Sequence, residues 1–114
     1  MARISAELMS NLVNLQSSLL ESVNEAKLAE YLLLNSVGET DETTSSLDEL
    51  TAIALQAGDL YNQISRLLLQ ISEIQPAITS AMLNLLSERV SSIENRVPAL
   101  EQSIREIKLD WDLR

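Results

Sequence analysis

The chain carries few residue types that can do chemistry, and carboxylates are the most numerous of them. Glu21 and Glu25 are four residues apart, so on a helix they lie one turn apart on one face, as carboxylate metal ligands do. The di-iron sites of four-helix bundles also need a Glu-x-x-His pair, and this sequence contains no histidine. We therefore interpret Glu21 and Glu25 as surface residues and predict no metal site.

Other catalytic arrangements are excluded by composition. The sequence has neither cysteine nor histidine, which excludes thiolate zinc sites, cysteine nucleophiles and Ser-His-Asp triads. It has no glycine-rich phosphate loop, and its three aromatic residues are too few for a base-stacking platform. We predict that the protein is not an enzyme, and that it uses no cofactor and no small-molecule substrate.

The length and net charge of the chain limit the kinds of partner that it is expected to bind. A chain of 114 residues fits one domain, and 17 acidic against 8 basic residues give a net charge of −9. This balance disfavours nucleic acid, whose phosphates need clustered Lys and Arg, and it disfavours anionic lipid surfaces. No run reaches the ~18 apolar residues of a membrane span, and the opening residues do not resemble a secretory signal. The expected location is intracellular, cytoplasmic or nuclear, without membrane insertion.

The elements that must carry any site are long helices. Two glycines and two prolines in 114 residues leave few turns, so we predict an all-α fold: a helical hairpin or bundle, elongated, with a C-terminal coiled-coil segment. The single domain 1–114 divides into a helix 3–35, an acidic loop 36–46, a helix 47–75, a kink at Pro76 and a helix 77–111. Gly38 is the expected C-cap of the first helix, and Ser46 with Glu49 forms a capping box for the second.

Three stretches carry further expectations. The acidic loop is interpreted as a solvated linker. The end of the first helix, with Leu28 and Leu32–Leu34, is apolar on several sides and is expected to be buried on several sides. The second helix has an unbroken apolar stripe and few charges, so it should be the most enclosed element. Gly58 within it is either a tolerated glycine or a point where another helix approaches closely at Ala57-Gly58.

The Gln75-Pro76 dipeptide interrupts the apolar register. Proline disfavours helical geometry at the residue before it and suits the first turn of a new helix. No polar turn residues surround Pro76, so a kink with a phase shift is favoured over a full chain reversal, and both alternatives remain open.

The third helix has one apolar stripe at coiled-coil spacing, with Leu83, Val90, Val97, Ile104 and Trp111 at a positions and Leu86, Ile93, Leu100 and Ile107 at d positions. Charged residues flank this stripe and are candidate interface charges: Arg89 and Arg96 at g positions, and Glu94 and Glu101 at e positions. A parallel pair of such helices places each arginine beside a glutamate, whereas an antiparallel pair places like charges together. The charges could equally serve only to keep a bundle helix soluble. Pro98 falls at a b position, away from the seam, where a mild bend is expected.

The run IENRVPALEQ at residues 93–102, with the upstream dipeptide Gln75-Pro76, resembles small coiled-coil subunits of helical assemblies, in particular the second subunit of the BLOC-1/BORC lysosome-positioning complexes. The resemblance covers about a tenth of the chain. It implies an obligate, all-helical subunit of a larger helical assembly.

Two functions fit these observations. The first is a non-catalytic scaffold subunit that associates with other helical chains, or with itself, through coiled-coil and bundle packing. The second is a self-contained three-helix bundle that acts as a small adaptor or regulatory binding domain. The predicted partner-interface residues are those of the stripes in the second and third helices: Leu50, Ile53, Leu60, Ile64, Leu67, Ile71, Ile74, Leu86, Val90, Ile93, Val97, Leu100, Ile104, Ile107 and Trp111.

Overall fold

Three long α-helices make up the fold. The computed structural model describes residues 6–74 and 77–113. Within them, α1 spans Ala6–Ser36, α2 spans Asp41–Ile74 and α3 spans Ser80–Asp110. No strand occurs in the described part of the chain. The all-α class is therefore confirmed.

The helices lie side by side in one bundle. The bundle measures 57 × 19 × 18 Å, and the 34 residues of α2 alone account for about 51 Å of that length. Gln16 Nε2 donates to Ser65 Oγ at 3.0 Å, and Thr51 Oγ1 donates to Glu30 Oε2 at 2.9 Å, so α1 and α2 are antiparallel. Trp111, just beyond α3, lies beside Ser46 near the start of α2, so α3 runs antiparallel to α2 and parallel to α1.

The order of the helices defines two ends of the bundle. The α1–α2 end contains the first connection and the last turn of α3, and the α2–α3 end contains the second connection. Gln75 and Pro76 lie outside the described residues, and so does the predicted kink itself. Because α2 and α3 are antiparallel, however, the chain reverses between Ile74 and Ser80. The expectation that α2 continues into α3 through a kink is therefore wrong. Only a reversal of the chain lets the apolar stripe of α3 pack against α1 and α2.

The first connection is shorter than expected. Gly38 has φ +93°, a conformation open to glycine, and its N–H donates to Leu33 O at 3.2 Å, which confirms it as the C-terminal cap of α1. The capping box expected at Ser46 and Glu49 is wrong, because α2 already begins at Asp41. The predicted acidic linker is thereby reduced to residues 37–40.

Two threonines explain the early start of α2. The Thr43 N–H donates to Thr40 Oγ1 at 3.1 Å, and the Thr40 N–H donates to Thr43 Oγ1 at 2.8 Å, the reciprocal pattern of a capping box. Thr43 Oγ1 also donates to Gly38 O at 2.8 Å, and the side chain is fully buried. Asp41 and Glu42 occupy the first turn, where the helix dipole favours acidic residues.

The core runs along the facing sides of all three helices. α2 contributes nine buried residues, compared with seven each from α1 and α3, but Leu55 and Leu69 on its outer side are exposed. The second helix is therefore the largest contributor to the core without being enclosed. The expectation for the end of α1 is wrong in part: Leu33 is buried, but Leu28 and Leu34 are exposed, because both neighbours of α1 lie on one side of it.

Small residues line the α1–α2 contact in the half nearer the first connection. Ala26 and Ala29 of α1 and Ala54 and Ala57 of α2 are buried, at levels between the Gln16–Ser65 and Glu30–Thr51 contacts. Small side chains allow two helix axes to approach closely. Gly58 plays no part in this approach, because a Cβ added there meets nothing within 4 Å. It is a tolerated glycine.

α3 continues through Pro98 and ends in a tight turn. Pro98 is exposed and its neighbour Val97 is buried, as expected for a proline outside the apolar stripe. At the C-terminal end the Leu113 N–H donates to Lys108 O at 2.8 Å across Asp112, whose φ is +50°. This is a Schellman turn, and it folds Leu113 back into the core.

We expect Thr43→Ala to lower the free energy of unfolding by about 1–3 kcal/mol, because it removes the side chain that accepts from the Thr40 N–H in the capping box of α2 and leaves the Gly38 carbonyl without its side-chain donor. Urea unfolding followed by circular dichroism measures the change. Ser45→Ala, at an exposed position one turn from the cap, is the control and should change stability by less than about 0.5 kcal/mol. Equal effects of the two substitutions would contradict the assigned role of Thr43.

Candidate functional site

The residues predicted to face partner chains lie inside this chain. Of the fifteen predicted interface positions, Ile74 and Trp111 are half-buried and the others are buried in the core of the bundle. In the folded single chain each apolar stripe packs against the other two, so neighbouring helices of the same chain cover these residues. Their assignment to an interface with a partner chain stays a prediction.

The four interface charges lie at the surface on either side of the α3 stripe. Arg89 and Arg96 border the grooves shared with α2, while Glu94 and Glu101 border those shared with α1. All four are exposed, and none forms an ion pair with another described residue. In the folded bundle α1 and α2 already cover the apolar stripe of α3. A second, parallel α3 therefore cannot pair along that stripe unless the bundle opens.

Two polar contacts tie α3 to the other helices at the α1–α2 end. Lys108 Nζ lies 3.2 Å from Glu25 Oε2, and Trp111 Nε1 donates to Ser46 Oγ at 3.0 Å. Glu21 is exposed and Glu25 is on the surface in this ion pair, which confirms both as surface residues. Among residues 6–74 and 77–113, no three carboxylates converge as a metal site requires.

Grooves follow both sides of α3. Between α1 and α3 lie two grooves of about 220 and 330 Å³, the first bordered by Glu21, Glu101 and Arg105. Between α2 and α3 lie two larger grooves, of about 410 Å³ near Ala52 and Ala99 and about 650 Å³ at the α2–α3 end. α3 is thus packed less closely against α1 and α2 than these two helices are packed against each other at their alanines.

The largest of these four grooves lies at the α2–α3 end, and we call it the α2–α3 groove. Its walls come from both helices and from the segment before α3: Leu67, Gln70, Ile71, Ile74, Ile78, Met82, Leu85, Leu86, Glu88, Arg89 and Ser92. Met82 and Leu85 stand on its rim with about half or more of their surface in solvent. Apolar walls with polar residues on the rim (Gln70, Glu88, Arg89 and Ser92) are a combination found at interaction sites.

Further large apolar side chains are exposed on the outer sides of the helices. Besides Met82 and Leu85 they are Val13, Leu20, Leu28, Tyr31, Leu34, Val37, Leu55, Leu69 and Leu109. Apolar periodicity does not single these out as interface residues, because they lie off the main stripes. Their offset from the stripe is the one signal in the sequence that could have identified them.

Comparisons with known proteins give no match: no family model, no curated protein and no solved structure resembles this chain at a significant level. The resemblance of residues 93–102 to the BLOC-1/BORC subunit therefore stays a prediction, as does the absence of enzymatic activity. None of the described helices is long and apolar enough to cross a membrane.

We expect Leu67→Asp to lower the free energy of unfolding by more than about 4 kcal/mol or to prevent folding, because it places an unpaired carboxylate in the core. Leu69→Asp is the matched control: it lies two residues away on the same helix but is 60% exposed. Thermal unfolding by circular dichroism should leave the control close to the parent. A wild-type melting curve for Leu67→Asp would show that this side of α2 does not form the core.

Proposed function

We propose that this chain is a self-contained three-helix bundle that acts as a non-catalytic binding module for helical proteins. One observation carries the proposal: the coiled-coil-type stripes of all three helices are buried within a single chain, while an apolar groove and large apolar side chains stay on the outer surface. A chain that buries its own seams needs no partner in order to fold. Binding would then use the outer surface.

The chemistry of the chain supports a binding role over catalysis. Histidine and cysteine are absent from the sequence, so imidazole and thiolate groups are not available as bases or nucleophiles. The excess of acidic residues favours protein partners over nucleic acid. An intracellular location, cytoplasmic or nuclear, belongs to the same proposal.

A second candidate is an obligate scaffold subunit in which α3 packs on a partner chain. The observation that favours it is the looser packing of α3, which is bordered by grooves on both sides and held by two polar contacts at one end. The heptad spacing of α3 and the resemblance to a BLOC-1/BORC subunit belong to this candidate. It requires α3 to leave the α1–α2 hairpin.

Trp111, the sole tryptophan, lets one experiment separate the two candidates. Its fluorescence reports the contact of the end of α3 with Ser46, and far-UV circular dichroism reports all helices together. For a self-contained bundle we expect the purified chain to unfold in urea with coincident transitions by both probes. A tryptophan transition at clearly lower urea, or a chain without helical structure in isolation, would contradict the self-contained bundle and favour the subunit.

We also expect Ile93→Asp combined with Ile104→Asp to unfold the whole chain, because both side chains are buried between α3 and the hairpin. Far-UV circular dichroism and light scattering measure the loss of helix and the mass of the product. Ser91→Asp, exposed on the same helix, is the control and should keep the parent helicity. If the double variant keeps most of its helicity and loses only association, α3 is a projecting helix and the subunit candidate is correct.

A further inference from the structure

The α2–α3 groove has a protruding side chain directly beside it. The groove holds about 650 Å³, and Leu67, Ile71 and Leu86 supply buried apolar walls. Leu85 stands on the same rim with 68% of its surface exposed. A protruding leucine and an apolar depression on one surface are complementary to each other. Leu85 stands on the rim of the α2–α3 groove and cannot fill that groove itself. A second molecule is needed to place such a leucine in the groove.

The charges on the rim are also complementary to themselves. Glu88 and Arg89 both line the groove, both are exposed, and neither makes an ion pair or hydrogen bond with another described residue. An interface between two identical copies uses the same patch twice, so it must contain both partners of every contact. One acid and one base on the same rim meet that condition.

The distribution of charge favours contact between two copies at the half of the bundle that contains the α2–α3 groove. Residues 6–20, 61–74 and 77–91 contain the acids Glu7, Glu73 and Glu88 and the bases Arg66 and Arg89, a net charge of −1. The other described residues contain fourteen acids and four bases, a net charge of −10. Two copies therefore repel each other strongly at the α1–α2 end and weakly around the α2–α3 groove.

From these observations we infer that the α2–α3 groove binds a second copy of this chain, with α3 lying antiparallel to α3 of the other copy. The inference rests on the proposed function, since it assigns the surface and partner of that binding module. The two-fold axis passes near the level of Ser87. Leu85 of each copy then enters the groove of the other, and Glu88 lies one helical turn from Arg89 of the second copy, within reach of that long side chain.

The first test measures mass against concentration for the full chain by sedimentation equilibrium or light scattering. We expect the mass to rise from 12.6 kDa toward twice that value as concentration increases. Leu85→Asp should raise the dimer dissociation constant about tenfold or more, because it places a carboxylate in an apolar groove. Leu55→Asp is the matched control, since Leu55 is 67% exposed on the outer side of α2, and it should leave the dissociation constant unchanged.

The second test uses charge and does not depend on how Leu85→Asp folds. Glu88→Arg and Arg89→Glu should each weaken the dimer about two- to thirtyfold, since two exposed ion pairs per dimer become like-charge contacts. The double exchange, Glu88→Arg with Arg89→Glu, restores both pairs and should return the dissociation constant to that of the parent. Added salt should reduce these differences.

Three results would overturn the inference: a chain that stays at 12.6 kDa up to millimolar concentration, a Leu55→Asp effect equal to that of Leu85→Asp, or a double exchange as weak as the single changes. The coincident unfolding of the isolated chain is measured separately. A monomer that unfolds in one transition would therefore remove the dimer and leave the proposed binding module in place.

Discussion

The whole structure depends on one constraint: a chain of 114 residues must bury three narrow apolar stripes, and the only surfaces available to it are the stripes themselves. Each helix of the bundle turns one face inward and receives the faces of the other two. Both chain reversals follow from this requirement, because a straight connection at either point would leave a stripe of some 30 residues in water. The short first connection, held by Thr40 and Thr43, sets the register of α1 against α2 and hence which levels of the two helices meet.

Side-chain size decides how closely each pair of helices approaches. Alanines at matching levels bring α1 and α2 together, whereas α3 presents mostly Leu, Ile and Val to the pair. Branched side chains hold the axis of α3 farther from its neighbours, and grooves remain along both of its sides. The looser helix is thus also the one that borders the interaction surface, and the same packing difference that leaves α3 less tightly held creates the groove that could receive another chain.

Much of the fold was predictable from the sequence, because helical periodicity shows which face of a helix is buried. The stripes of the second and third helices and the outward position of Pro98 were identified in this way, and Gly38 was identified because it follows the periodic stretch of the first helix. Periodicity does not show what covers a stripe, and so the residues from Leu50 to Trp111 assigned to partners proved to be covered by their own chain. The start of α2 was missed because a Thr-x-x-Thr pair can cap a helix as Ser-x-x-Glu does, and only the burial of Thr43 distinguishes them. The groove could not be predicted, since it depends on distances between helices.

The separation of charge along the bundle also selects the orientation of any self-association. A parallel pair would bring together the two α1–α2 ends, where acids such as Asp41, Glu42 and Asp48 are concentrated. An antiparallel pair on the α2–α3 groove sends those ends in opposite directions, farther apart than the Debye length of about 8 Å, so that their repulsion is screened. The charges that flank the seam of α3 favour a parallel neighbour only while that seam is open. Once α1 and α2 close it, the remaining exposed charges act across the outer surface, and there the overall distribution favours the antiparallel arrangement.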